Sequence, residues 1–226
     1  MISILIILAS SYILLSAICF AFKGNKVVGR IVFFFGLAVC LISLYYTRLV
    51  LVKPDMVLIT LSLPASYLLY LASLFIVGTK FNKSNLLFPE ILSFKGRLKK
   101  QFIAESLNNL KTSSYEEFLY RGLIQYTVYF VSHSVIITVI LSSVYFTAIH
   151  YRKNIAIVQM ADIFVFSLAV TIIFQLTGDI WLAIIIHIIR NALVICQKYV
   201  AVDQRQKRIM QISNKVKGEM KNEKTV

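Results

Sequence analysis

The stretch Ser113-Ser114-Tyr115-Glu116-Glu117-Phe118-Leu119-Tyr120-Arg121-Gly122-Leu123-Ile124 sets two carboxylates and a guanidinium into sequence that is otherwise apolar. Two later apolar runs each carry a histidine. One ends in Phe146-Thr147-Ala148-Ile149-His150, and the last contains His187-Ile188-Ile189-Arg190-Asn191. Ionisable groups at hydrocarbon depth are costly, and those that persist face a cavity or one another and mark function. Three segments supplying acid, base and amide groups suggest an assembled reaction centre rather than scattered charges.

The rest of the chain makes hydrocarbon depth the right frame. Of 226 residues, 58% are hydrophobic, and the mean hydropathy is +0.78. A soluble domain of this length cannot hide so much apolar surface, so the bilayer is part of its solvent. Apolar runs fall near 2–22, 31–52, 56–78, 115–131, 134–150, 155–176 and 180–201. Each is long enough to cross a hydrocarbon core of about 30 Å, whereas a β-barrel would show short alternating strands. The expected fold is all-α: a polytopic membrane helix bundle of about seven spans, forming one domain over 1–202 with a basic tail over 203–226. Pro64 marks a kink that membrane helices tolerate. The first run lacks the basic flank of a signal peptide and reads as a retained span. Cys19, Cys40 and Cys196 sit in apolar runs without metal-ligand spacing and read as buried thiols.

The formal charge of +14 does not point to nucleic acid, because much of the excess lies beside spans, in Lys80–Lys100 and Arg205–Lys224, without any nucleic-acid-reading motif. That placement fits cytoplasmic loops against anionic lipid. Lys23, Lys26 and Arg30, the Lys80–Lys100 cluster, Arg152 and Lys153, and the tail all fall on one side of a seven-span thread. The opposite loops, Ser132–Ser134 and Thr177–Asp179, carry no lysine or arginine, and Arg48 and Lys53 are the exceptions. The N-terminus is then outside, the C-terminus is cytoplasmic, and the expected location is a bacterial plasma membrane. Within Phe81–Lys111, apolar and basic residues alternate as on an amphipathic helix in the interface plane, the other reading being a solvated basic linker.

Ordinary roles exist for each polar residue. Ser113 and Ser114 precede Glu116 and Glu117 by three residues, the capping-box spacing of a helix start. Glu117 and Arg121 are spaced as an intrahelical ion pair, and His187 with Asn191 as interhelical hydrogen-bonding glue. The topology argues for more. An orientation drawn from lysine and arginine alone puts Glu116, Glu117, His150, His187 and Asn191 in the same cytoplasmic half.

In their order, Glu-Glu-x-x-x-Arg, Phe-x-x-x-His and His-x-x-x-Asn resemble the motifs of the CPBP family of intramembrane proteases. That family includes the type II CAAX prenyl endopeptidases and the bacterial Abi proteins linked to bacteriocin immunity. Thr177-Gly178-Asp179-Ile180-Trp181 is similar to the segment that introduces the third motif, and the likeness spans about 112–195. It implies that Glu116, with His150, activates a water and that His187 and Asn191 bind the oxyanion. Glu117 and Arg121 would orient the acid, and Phe146 would pack beneath His150. The family has been described both as metalloproteases and as metal-independent glutamate proteases. A zinc would take Glu116, His150 and His187, while the metal-free mechanism is the favoured one. The implied substrate is a peptide or membrane-anchored protein. The rival readings are a proton-relay transporter and a non-catalytic immunity or scaffold protein of the same fold.

Overall fold

The structure is a computed structural model that describes residues 2–21, 26–47, 55–78, 96–151 and 155–223. Among them there is no strand. Helices α1 (Ile2–Ala21), α2 (Lys26–Thr47) and α3 (Met56–Ile76) come first. Then α4 (Gly96–Glu117) runs directly into a π-helical stretch, Phe118–Gln125, and on into α5 (Tyr126–Ser132). The last three are α6 (Val135–Ile149), α7 (Ile157–Thr177) and α8 (Ile180–Glu223).

Helix ends follow local chemistry. The Asp55 carboxylate accepts from the Val57 amide at 2.8 Å and caps α3. Ser134 caps α6 by accepting from the Ile137 amide at 3.4 Å. Gly178, at φ 66°, closes α7 in the left-handed conformation that glycine adopts without strain. Asp179 follows at once, and its Oδ1 accepts from the amides of Trp181 (2.8 Å) and Leu182 (3.2 Å) to open α8. The Thr177–Trp181 flank is therefore a stop and a start packed into five residues, and it sets the helix that carries His187.

Among the described residues, three helices are long and apolar enough to cross a membrane, over Met56–Ile76, Ile157–Thr177 and Ile180–Ser213; Val135–Ile149 is a shorter apolar helix. Burial is distributed as a bilayer requires. Leu61, Leu68 and Phe75 of α3, Ile136 and Ile140 of α6, and Ile157 and Leu176 of α7 are exposed, whereas Ser62, Ser66, Ser142, Ser143, Ser167 and Thr171 are buried. With no hydrophobic drive between helices in lipid, small and hydroxyl-bearing side chains let them approach and bond.

One expectation needs correction, and one helix runs further than its apolar stretch. Ser113 and Ser114 do not start a helix: α4 begins at Gly96, and Ser114 Oγ donates to the Leu110 carbonyl at 2.8 Å in the middle of it. The capping-box spacing is satisfied by chance, because a polar helical turn already precedes it. The last helix runs on beyond the apolar stretch to Glu223, so the basic segment is helical as far as that residue. Lys23, Arg48, Lys53, Lys80 to Lys95, Arg152, Lys153 and Asn154 lie outside the described residues. Cys196 is buried as expected; the side chains of Cys19 and Cys40 fall outside those described.

The chain forms two compact units. The first comprises Met1–Thr79 and Leu110–Arg190. Its core brings together Ala9, Tyr12, Val39, Leu119, Leu123, Phe146, Phe166, Val170 and Ile186. Gly36 of α2 permits one close approach there, since a β-carbon would overlap the Tyr115 hydroxyl and lie 2.9 Å from Tyr12 Cε2. The second unit comprises Lys80–Asn109 and Asn191–Val226. In it Leu98, Phe102 and Ile195 pack against Cys196, Tyr199 and Val200, and Lys198 Nζ lies 2.7 Å from Glu105 Oε1. Lys198 donates to Glu105 and thereby holds its carboxyl below the usual carboxylate range.

Candidate active site

The site lies in the first unit, where α4 changes its winding. Glu117 is the last α-helical residue before the π-helical Phe118–Gln125, of which Leu119 to Gln125 are all buried. Looser π turns are uncommon and recur at functional positions. Glu117 and Arg121, both 0% exposed, pair across this boundary with Arg121 Nε 3.1 Å from Glu117 Oε2. Arg121 continues to Ser167 Oγ on α7 at 3.3 Å, and its guanidinium lies 5.2 Å from the Phe146 ring centre on α6.

The second Glu117 oxygen reaches the last helix. His187 Nδ1–H donates to Glu117 Oε1 at 2.7 Å, leaving Nε2 directed at Glu116, whose Oε2 is 3.7 Å away. His150 is held in the same way: Nδ1–H donates to the Phe146 carbonyl at 2.8 Å, and Nε2 lies 3.6 Å from Glu116 Oε1. In both imidazoles the hydrogen bond at Nδ1 sets the ring plane, so Nε2 points at the Glu116 carboxylate. The rings stand on aromatic packing, with Phe146 4.5 Å from His150 and Phe166 4.8 Å from His187 between ring centres.

Glu116, Glu117, Arg121, Phe146, His150 and His187 are therefore brought together from α4, the π stretch, α6 and α8. Glu116 and His150 are partly exposed while Glu117 and His187 are buried, so the group is open on the Glu116 side. Asn191, the remaining expected member, is half-buried four residues after His187 and opens the second unit.

One polar cluster escaped the sequence reading. Arg190 Nη2 donates to Ser73 Oγ of α3 at 2.8 Å and pairs with Asp162 of α7. Its guanidinium lies 4.9 Å from the ring centre of Phe166, the ring that supports His187. The signal was present: Asp162 and Arg190 are ionisable residues inside apolar runs, the same property that singled out Glu116.

A buried carboxylate, two oriented imidazoles and a second, partly exposed carboxylate are the groups that a hydrolytic site within a helical bundle would use. Residues 102–193 match the family model described as type II CAAX prenyl endopeptidase Rce1-like. That segment is less than half of the chain and contains all three motifs. Over those residues the chain is similar to the CAAX-type intramembrane proteases of the CPBP family. That likeness and the apolar helices together point to an integral membrane protein. No curated protein and no solved structure matches the chain.

Proposed function

We propose that the protein is an intramembrane endopeptidase that hydrolyses a peptide bond near the cytoplasmic face, using a water held between Glu116 and His150. The observation that carries this reading is that both Glu116 oxygens face a histidine Nε2, at 3.6 and 3.7 Å from residues on two other helices. Polar atoms at that separation, beyond direct hydrogen bonding, suit a bridging water. With Nδ1–H donated to Phe146, neutral His150 offers a lone pair at Nε2. The water donates one hydrogen to that lone pair and the other to Glu116, turning its own oxygen toward a substrate carbonyl.

Attack forms the carbon–oxygen bond, moves the water's proton to Glu116, and places the carbonyl electrons on an oxyanion. Protonated His187 donates Nε2–H to that oxyanion, its positive charge offset by Glu117. Collapse breaks the carbon–nitrogen bond, and Glu116 returns its proton to the departing amine. General acid–base transfer of this kind is worth about 10²–10⁴-fold in rate. Asn191 is proposed on the motif alone as a second oxyanion donor.

A second reading rests on the same tautomers. Histidines whose Nδ1 is committed to a carbonyl or carboxylate are the form in which imidazole binds metal. One carboxylate and two such nitrogens also suit zinc with an open position. Glu116, His150 and His187 would hold the ion, and it would supply a water of lowered pKa. As they stand, no three His, Cys, Asp or Glu side chains among the described residues are grouped as a metal cage. The metal-free mechanism is the one proposed.

The substrate class is a peptide or membrane-anchored protein, and the basic loops would lie against anionic lipid with the N-terminus outside a bacterial plasma membrane. Membrane peptides from cells producing wild type, Glu116→Ala and His150→Ala test the proposal. Cleavage products are expected only with wild type, and products persisting in Glu116→Ala would overturn it. Activity of the purified protein that disappears with a chelator and returns with zinc would replace the metal-free mechanism by the second reading.

A further inference from the structure

Behind the catalytic group, three helices each present a polar row at four-residue spacing. The π stretch and its flank supply Glu117, Arg121 and Gln125; α7 supplies Ser167, Thr171 and Gln175; α6 supplies Thr138, Ser142, Phe146 and His150. Residues four apart share a helix face, and hydrogen bonds join the first row to the second. Arg121 Nη2 bonds Ser167 Oγ at 3.3 Å, and Gln125 Nε2 donates to the Thr171 carbonyl at 3.0 Å and to Gln175 Oε1 at 3.1 Å. Ser143 Oγ reaches Thr171 Oγ1 at 3.3 Å, joining α6 to the same column. The chain of bonds runs from Glu117 toward the end of the unit where Ser132–Ser134 and Thr177–Asp179 turn.

Interhelical bonding between hydroxyls and amides explains the paired members of this column. It does not explain three others. Arg121 Nη1, Gln125 Oε1 and Ser142 Oγ are buried and have no protein hydrogen-bond partner. Their residues are 0%, 0% and 2% exposed, so bulk solvent does not serve them either. They lie along one path: Gln125 is one turn beyond Arg121, and Ser142 is one turn before Phe146, the ring beneath the Arg121 guanidinium. Donors and acceptors left unmet by protein inside a polar interior are the groups that internal water serves.

We propose that this column is a built water site, in which ordered waters bridge Arg121 Nη1, Gln125 Oε1 and Ser142 Oγ and extend the hydrogen-bond chain behind the Glu117–Arg121 pair. The waters hold the guanidinium in place from the side that protein atoms leave unmet. They also form a reserve inside the bundle from which a consumed hydrolytic water is replaced, a role that rests on the protease reading above.

Radiolytic hydroxyl labelling in nanodiscs, with exchange into ¹⁸O-water, reads bound water by its oxidation of adjacent side chains. Phe146, beside Arg121, is the reporter. Phe174 is the control, since it is similarly buried but packed with Ile180 and Ile184. The expected result is ¹⁸O-labelled oxidation of Phe146 several-fold faster than of Phe174 in the wild-type protein, with the excess falling in Ser142→Val and Gln125→Leu. Equal, slow labelling of the two rings in wild type would overturn the proposal whether or not the variants fold. On the protease reading, Ser142→Val also lowers kcat while leaving KM unchanged. A protein with labelled Phe146 and no hydrolysis in any form would refute that reading and leave the waters standing.

Discussion

Two ion pairs, each built with a residue of α4, behave in opposite ways. Glu117–Arg121 is closed off from solvent at 0% exposure on both sides and shares its carboxylate with His187. Glu105–Lys198, in the second unit, is 34% and 59% exposed and meets nothing catalytic. Water screens the second, and exposed pairs of this kind contribute little. The first must be satisfied inside the bundle, because an unpaired charge in the interior is strongly destabilising. The contrast teaches that the setting of a charge, more than its presence, separates reaction machinery from surface.

That contrast can be broken or sharpened by substitution. The largest effect is expected for Glu116→Gln, which keeps shape but removes the base; kcat should fall by about 10²–10⁴-fold with KM little changed, measured on a membrane-peptide substrate. Arg121→Leu should come next, lowering stability by about 3–5 kcal/mol in denaturant titrations because it strands Glu117. The double change Arg121→Leu with Glu117→Leu should recover a large part of that loss while activity stays absent. Gly36→Ala is expected to cost about 1–3 kcal/mol through overpacking against Tyr115, and to reduce activity because Tyr115 adjoins Glu116.

The smallest effect belongs to the exposed pair, where Glu105→Gln should change stability by less than about 1 kcal/mol and leave kcat untouched. Its carboxyl is held below the usual range by Lys198. The contribution is therefore present at neutral pH and is lost as pH falls through and below the ordinary carboxylate range, a loss that Glu105→Gln should abolish. An Arg121 variant as mild as this one would collapse the distinction between the two pairs.

The apolar runs made the helices legible, and α1, α3, α6 and α7 lie close to where hydropathy put them. A helix within Phe81–Lys111 was one of the two readings of that stretch, and α4 does begin there at Gly96. What the polar composition hid is that it runs on unbroken to Glu117. The serines before Glu116 then offered a plausible false start. Glu116, Glu117, Arg121, His150 and His187 were legible because ionisable residues stand out against an apolar background. Asp162 and Arg190 stood out equally and were passed over because they fit no motif. The π winding over Phe118 to Gln125 was not read from the residues, because an apolar run of that length shows the same pattern for either winding.

That winding has a consequence for how the chain tolerates change. An α-helix turns about 100° with each residue, so gaining or losing one between Phe118 and Gln125 would swing everything beyond it by roughly that angle relative to the glutamates. Most single replacements there would leave the phase intact, whereas one insertion or deletion would aim Gln125 and the whole of α5 at different neighbours. Spacing across those eight positions is accordingly under tighter constraint than the identity of most residues that fill them.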